Sequence, residues 1–395
     1  MGDSFRYIII GRGMLGSAAA RHLAARTDGV ALIGPDEPEN PARHPGVFAS
    51  HYDEARITRT IDTDPVWARL ARRSIERYGE IAAESGIDFF HEAGCLMVGP
   101  ARGDDDPYVA DICAAAEKVG ARTELLDDRS LAQRFSYFSF GSSCEGVFEA
   151  AGAGYVNPRR LVEAQSLLAK RAGATLIAET VIATRETAAG VEVTTAEGRV
   201  FKADKVLVAA GGFSIAENLL PKPLDLSVYA RTVAFFEIPE AALFRYAGMP
   251  SLIHQPADPR DHIYLLPPVR YPDGRTYLKI GGDPDDLRLE TEPDVRAWFR
   301  SGGRESTRDH LKRIIDRLIP SLADAPLSMG ACVTSFTPTG YPAIGSAGAN
   351  IAVLAGGCGA AAKSSDEIGR LGALALLGEG LEEDVYGAVF RPVFR

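Results

Sequence analysis

Apolar positions along this chain follow two periods. Near the start, "RYIIIGRGMLGSAAARHLAAR" (6–26) passes from a β-branched block, Tyr7 to Ile10, through a glycine loop into an Ala/Leu-rich stretch from Ser17. A short continuous apolar block predicts a buried strand, and the residues that follow are strong helix formers. A second strand is predicted at "VALIG" (30–34). Farther on, "GAGYVNPRRLVEAQSLLAKRAGATLI" (152–177) reads as a turn, a helix opening at Pro158 and another strand. "ADKVLVAAGGFS" (203–214) is an apolar strand ending in small residues, which let backbone approach a ligand closely. A final unit places a strand at 351–355, a glycine-rich loop, and a helix to about 377. Between these pieces the pattern changes. Segments 89–150 and 220–328 are richer in aromatics and prolines and alternate, as in "TVAFFEI" and "TYLKIGG", the signature of an antiparallel sheet.

The predicted organisation is α/β, with two domains interleaved in sequence. Residues 1–88, 151–219 and 329–395 form a Rossmann-type dinucleotide-binding domain. Residues 89–150 and 220–328 form a second, α+β domain on a mostly antiparallel sheet, expected to carry the substrate. The glycines support the first assignment: Gly11, Gly13 and Gly16, with Met14 and Leu15 between them, make G-x-G-x-x-G between a strand and a helix. There the backbone can approach a pyrophosphate, and the helix N-terminus favours its charge. One position departs from the fingerprint. The acid expected after the second strand, to grip the adenosine ribose, is replaced by Gly34 and Pro35, so either Asp36 or backbone groups take that role.

Composition narrows the function classes. The 395 residues carry a formal net charge of −10, which disfavours nucleic acid and anionic membranes as partners. No stretch approaches the ~18 unbroken apolar residues of a membrane span, and the first strand starts too early to leave room for a signal peptide. Five irregularly spaced cysteines suggest neither a disulfide framework nor a metal site. A cytoplasmic protein is expected, with its oligomeric state open.

Four ordered motifs carry a family resemblance: the glycine loop at 11–16, "SHYDEARITR" (50–59), "YLKIGG" (277–282), and the C-terminal pair "ACVTSFTP" (331–338) with "AGGCGAAAKSS" (355–365). Together they resemble the FAD-dependent amine oxidoreductases of the D-amino-acid oxidase superfamily, in particular the monomeric sarcosine oxidase group. The resemblance implies FAD, tethered through a thioether to Cys332, with Thr337 and Pro338 at the family spacing. It also implies cofactor contacts from Ser50, His51, Arg56, Val181, Gly211, Gly357, Gly359 and Lys363. The bare alternative for Cys332 is a small packed thiol.

For catalysis the resemblance implies that Arg59 and Lys363 anchor a substrate carboxylate, aiming the adjacent C–H at the flavin. The alternative for Arg59 is a surface ion pair with Asp53 or Glu54. Lys279 matches the lysine that promotes reaction with oxygen, since a cation stabilises nascent superoxide. Its alternative is an outward lysine on an edge strand. Tyr264 is the best aromatic candidate for the pocket wall, and His254 and His262 are candidates to face it. Thr334, Thr339 and Asp283 depart from the family pattern and leave the substrate open. The expected activity is oxidation of a secondary or N-substituted α-amino acid, whether sarcosine-like, iminodiacetate-like or a cyclic imino acid. Hydride goes to FAD, the imine hydrolyses, and O2 is reduced to H2O2. The rivals are a dehydrogenase with another acceptor and a noncatalytic FAD-binding subunit.

Overall fold

A computed structural model describes residues 3–103 and 106–395. Five strands, Thr175–Ile177, Val30–Ile33, Ser4–Ile10, Val200–Val208 and Ile351–Ala355, lie side by side and parallel in that order. Their central stretches, Ile8–Ile10, Val30–Ile33, Val206–Val208 and Ile351–Ala355, are continuous apolar runs because both faces of the sheet are covered there. Ile8, Ile10, Val206, Val208 and Val353 pack on one face. Ile9, Leu32, Leu207 and Leu354 pack on the other with Leu23, Ile368 and Leu371 from the helices Met14–Ala24 and Ala361–Leu377. Antiparallel strands flank this core: Ala343–Ser346 on Ile351–Ala355, and the hairpin Val181–Thr187/Gly190–Thr195 against the first half of Val200–Val208.

The helix Ala361–Leu377 buries two acids completely, Asp366 and Glu367. Asp366 receives Arg21 at 2.8 Å, Arg77 at 2.5 Å and the amide of Gln165 at 2.8 Å, with His22 at 3.1 Å. Burial would raise both carboxyls, but these partners hold Asp366 well below the usual range, and Arg370, Arg77 and Tyr386 hold Glu367 down to about 2. The network ties the C-terminal helix to Met14–Ala24 and Pro158–Arg171.

The second sheet runs Leu287–Leu289, Ser227–Glu237, Thr276–Gly281, Ile263–Arg270, Ser251–His254, Cys95–Pro100, Cys144–Glu149 and Glu124–Asp127. All pairs are antiparallel except Ser251–His254 with Cys95–Pro100. The period of two is explicit: Ile263, Leu265, Leu278 and Ile280 pack with Leu311, Ile314 and Ile315 of the helix Glu305–Leu318. Tyr264 and Lys279 alternate with them and take the opposite face. Leu327–Phe336 departs from the expectation that the first domain resumes at 329. It pairs along its whole length with Ser227–Glu237, from Phe336 opposite Ser227 to Leu327 opposite Phe236, because Thr276–Gly281 and Leu287–Leu289 use different stretches of that eleven-residue strand and leave a full edge of ladder groups to be satisfied. A small third sheet, Arg56–Thr58, Gly154–Val156 and Phe90–His91, holds the segment that carries Arg56 and Arg59. Among the described residues, no helix is long and apolar enough to cross a membrane.

Candidate active site

A single cavity of about 1400 Å³ is lined by both the parallel sheet and the second sheet. It exceeds the ~300–1,000 Å³ of an ordinary small-molecule pocket, as a dinucleotide plus a substrate requires. The glycine loop forms part of its wall for a geometric reason. Gly11 has φ +111°, and a Cβ there would sit 2.4 Å from the Ala209 carbonyl oxygen; one on Gly16 would sit 1.8 Å from the Gly11 oxygen. The loop therefore nests between the strand ends, and Gly13 caps the helix Met14–Ala24. Beside the loop, Arg12 Nε and His51 Nδ1 are buried without a hydrogen-bond partner. Burial, with Arg159, Arg56 and Arg12 nearby, pushes the His51 imidazole down to about 3, so it is neutral. A cradle closed to side chains, a helix N-terminus and unpaired polar atoms fit a bound FAD pyrophosphate.

The cavity wall includes Gly11, Gly13, Met14, Leu15, Ser50, His51, Arg56, Arg59, Val181, Gly211, Tyr264, Cys332, Gly357, Gly359 and Lys363. Gly16 lies beneath the loop. Asp36 does not line the wall: its exposed carboxylate is 2.8 Å from Arg12, while Arg12, Gly34 and Pro35 face the cavity. Of the two histidines, His262 lines it and His254 does not, its ring meeting Phe140 edge-on.

Cys332 faces Arg231 across the strand pair, and Arg56 reaches its Sγ at 3.6 Å. Thr337 closes the motif by donating to the Tyr341 carbonyl at 2.5 Å and packing over Gly356, where a Cβ would fall 2.3 Å from its methyl. The two C-terminal motifs thus interlock at the cavity.

Arg59 is not a surface residue, and its partner is neither Asp53 nor Glu54. It lies 3.3 Å from Asp62, whose same oxygen is 2.8 Å from Lys363 Nζ. Lys363 is 1% exposed. Burial pulls its ammonium down in pKa, and Asp62 opposes that pull. Two cations against one carboxylate leave one net positive charge, the complement of a single substrate carboxylate. Nearby, the Arg59 Nε and the buried Tyr108 hydroxyl lack partners. Tyr264 is pushed up to about 12 by burial and Asp283 up to about 6.

Lys279 is not an outward lysine on an edge strand: its strand is internal, paired on both sides. Nor does it line the cavity: it is 1% exposed, with Nζ 2.7 Å from Asp53 Oδ2 and bonded to the Ala55 carbonyl. Neither Asp62 nor, beyond a surface ion pair with Arg59, Asp53 carries a predicted site role, because both sit in a polar run, "DEARITRTIDTD".

The family model for FAD dependent oxidoreductases, abbreviated DAO, matches residues 6–374. The chain belongs to this family. It is an FAD-dependent oxidoreductase. It is 26% identical over 394 residues to monomeric sarcosine oxidase of Bacillus sp. (strain NS-129), covering 98% of this chain and 96% of that protein. Two solved structures share its fold. One is the open form of NikD, an unusual amino acid oxidase essential for nikkomycin biosynthesis, with TM-score 0.76, 22% identity and coverage of 99% and 98%. The other is iminodiacetate oxidase from Chelativorans sp. BNC1, with TM-score 0.73, 21% identity and coverage of 98% and 99%.

Proposed function

We propose that this FAD-dependent oxidoreductase oxidises a secondary or N-substituted α-amino acid and uses O2 as acceptor. The observation that carries the proposal is the Arg59–Asp62–Lys363 cluster, which shares one cavity with the glycine loop and Cys332. FAD, when bound, supplies the hydride acceptor and returns two electrons to oxygen. The protein's part is orientation. Arg59 and Lys363 hold the carboxylate, which limits the amine carbon to a few poses. Tyr264, kept as a neutral phenol, walls the pocket without adding charge. Lys279 is assigned the positive field at the oxygen site. The sarcosine, iminodiacetate and amino acid oxidases named above agree with an N-substituted amino acid. In balance, the substrate loses a hydride and a proton, the imine adds water and splits to a carbonyl and an amine, and O2 gains two electrons and two protons. In air, secondary amino acids should release H2O2 equimolar with the carbonyl product, whereas the same amines without a carboxylate should not. A carbonyl product without peroxide would replace O2 with another acceptor; neither product from any secondary amino acid would end the proposal.

Cys332 is proposed as the covalent tether, on its place in the wall and its contact with Arg56. Acid precipitation should carry the flavin down with the polypeptide, and Cys332→Ala should leave it in the supernatant. Free flavin from the parent protein would reduce Cys332 to a packing residue.

A further inference from the structure

Asp53 is 6% exposed and its carboxylate makes four polar contacts, as a buried charge requires. Its Oδ2 holds Lys279 Nζ at 2.7 Å and is also in contact with the Arg56 guanidinium. Its Oδ1 accepts from the Tyr271 hydroxyl and the Glu54 backbone N–H, both at 2.8 Å. Lys279 and Arg56 come from different elements, the internal strand Thr276–Gly281 and the segment Arg56–Thr58. They meet on this carboxylate and on the neighbouring Ala55 carbonyl, to which both donate. The strands beside Lys279 place Phe235 and Leu266 opposite it, neither of which titrates. The charged or titratable groups acting on it are therefore Asp53, Arg56 and Cys332, with Tyr271 reaching it through Asp53.

We propose that Asp53 is a positioning residue for the oxygen half-reaction, holding the buried Lys279 ammonium protonated and in place beside Arg56. The proposal rests on Lys279 being the cation of the oxygen site. An ammonium taken out of water beside a guanidinium sheds its proton unless an anion compensates, and buried lysines reach pKa values of ~5–6. Burial and then Arg56 do pull Lys279 down. Asp53 is the carboxylate in contact with its Nζ, and Arg56, unlike Lys279, lines the cavity. One carboxylate against two cations leaves one net positive charge at the wall, with Arg56 in the lining and Lys279 behind it. As an electron passes from the reduced cofactor to O2, that charge stabilises the superoxide; the second electron and two protons complete H2O2. Lys279 must be charged when the anion appears, so the rate should follow its protonation.

The test is the rate at which O2 reoxidises the reduced holoenzyme, read by flavin absorbance in rapid mixing across pH, for the parent, Asp53→Asn and Lys279→Met. The parent should keep its rate to higher pH than Asp53→Asn because the carboxylate opposes loss of the ammonium proton, and Lys279→Met should be slow throughout. Asp53→Asn should approach the parent at the acid end and fall roughly tenfold per pH unit once above its lowered lysine pKa. Reduction by substrate should change much less. If Lys279→Met reoxidises as fast as the parent, the oxygen-site assignment of Lys279 fails. If Lys279→Met is slow while Asp53→Asn keeps the parent profile, or is slowed equally at every pH, the role of Asp53 is overturned. The parent also decides by itself, should Asp53→Asn fail to hold FAD: a rate that falls through neutral pH would show that Asp53 does not keep the lysine charged.

Discussion

Lys363→Ala and Arg59→Ala are each expected to lower kcat/KM for the amino acid substrate by tenfold to a hundredfold. A charge-assisted hydrogen bond contributes roughly 1.5–3 kcal/mol, and each variant removes one cation from the carboxylate's partners. The double variant should lose less than the sum because both cations act on one group. Asp62 makes the coupling tighter still. It contacts both cations, so removing either leaves the other facing Asp62 alone and the net positive charge gone. Steady-state kinetics on the two single variants and the double variant measures this. Additive losses would mean that Arg59 and Lys363 bind different groups, and undiminished kcat/KM in both would place the anchor elsewhere.

Asp366→Asn is expected to destabilise the fold by about 3–5 kcal/mol, the usual cost of stranding buried charged partners. That is a large share of the ~5–15 kcal/mol that holds a typical domain together. Arg21 and Arg77 would lose their carboxylate, while Gln165 would face an amide. The sign with pH follows from the depressed pKa of Asp366. Its contribution is complete above the unfolded value of ~3.9 and is lost as pH falls toward the folded one, because the unfolded chain takes up the proton first. Urea unfolding should therefore show the gap between parent and variant at neutral pH and its narrowing in acid. A midpoint unchanged at neutral pH would show that the network adds no net stability.

Much of the fold could be read from periodicity. The second half of the strand Ser4–Ile10 and the helix after it announce themselves because a parallel strand covered on both faces is apolar there, and the glycines at 11 and 16 admit no side chain. The alternation in "TYLKIGG" reads as an antiparallel strand, and in the second sheet Lys279 takes the face opposite Leu278 and Ile280. What the chain did not disclose was pairing at a distance. That Leu327–Phe336 joins Ser227–Glu237 depends on a ladder between segments about a hundred residues apart. Asp53 and Asp62 were illegible for a related reason: a carboxylate in a polar run looks solvated until the lysine that buries it arrives from another element. Asp36 stands near the fingerprint position in sequence, yet its exposed carboxylate pairs with the wall residue Arg12 and does not itself line the cavity.

The central claim is that the flavin is reduced by an amine whose carboxylate is held at Arg59 and Lys363. It is tested most directly without oxygen, by mixing the yellow holoenzyme anaerobically with matched pairs of secondary amines that differ only in carboxylate against carboxamide. The account predicts that members of the carboxylate series bleach the flavin absorbance and that their amides do not, with the bleaching slowed in Lys363→Ala. Equal bleaching by both members of a pair, or bleaching by primary alcohols and no amine, would contradict it.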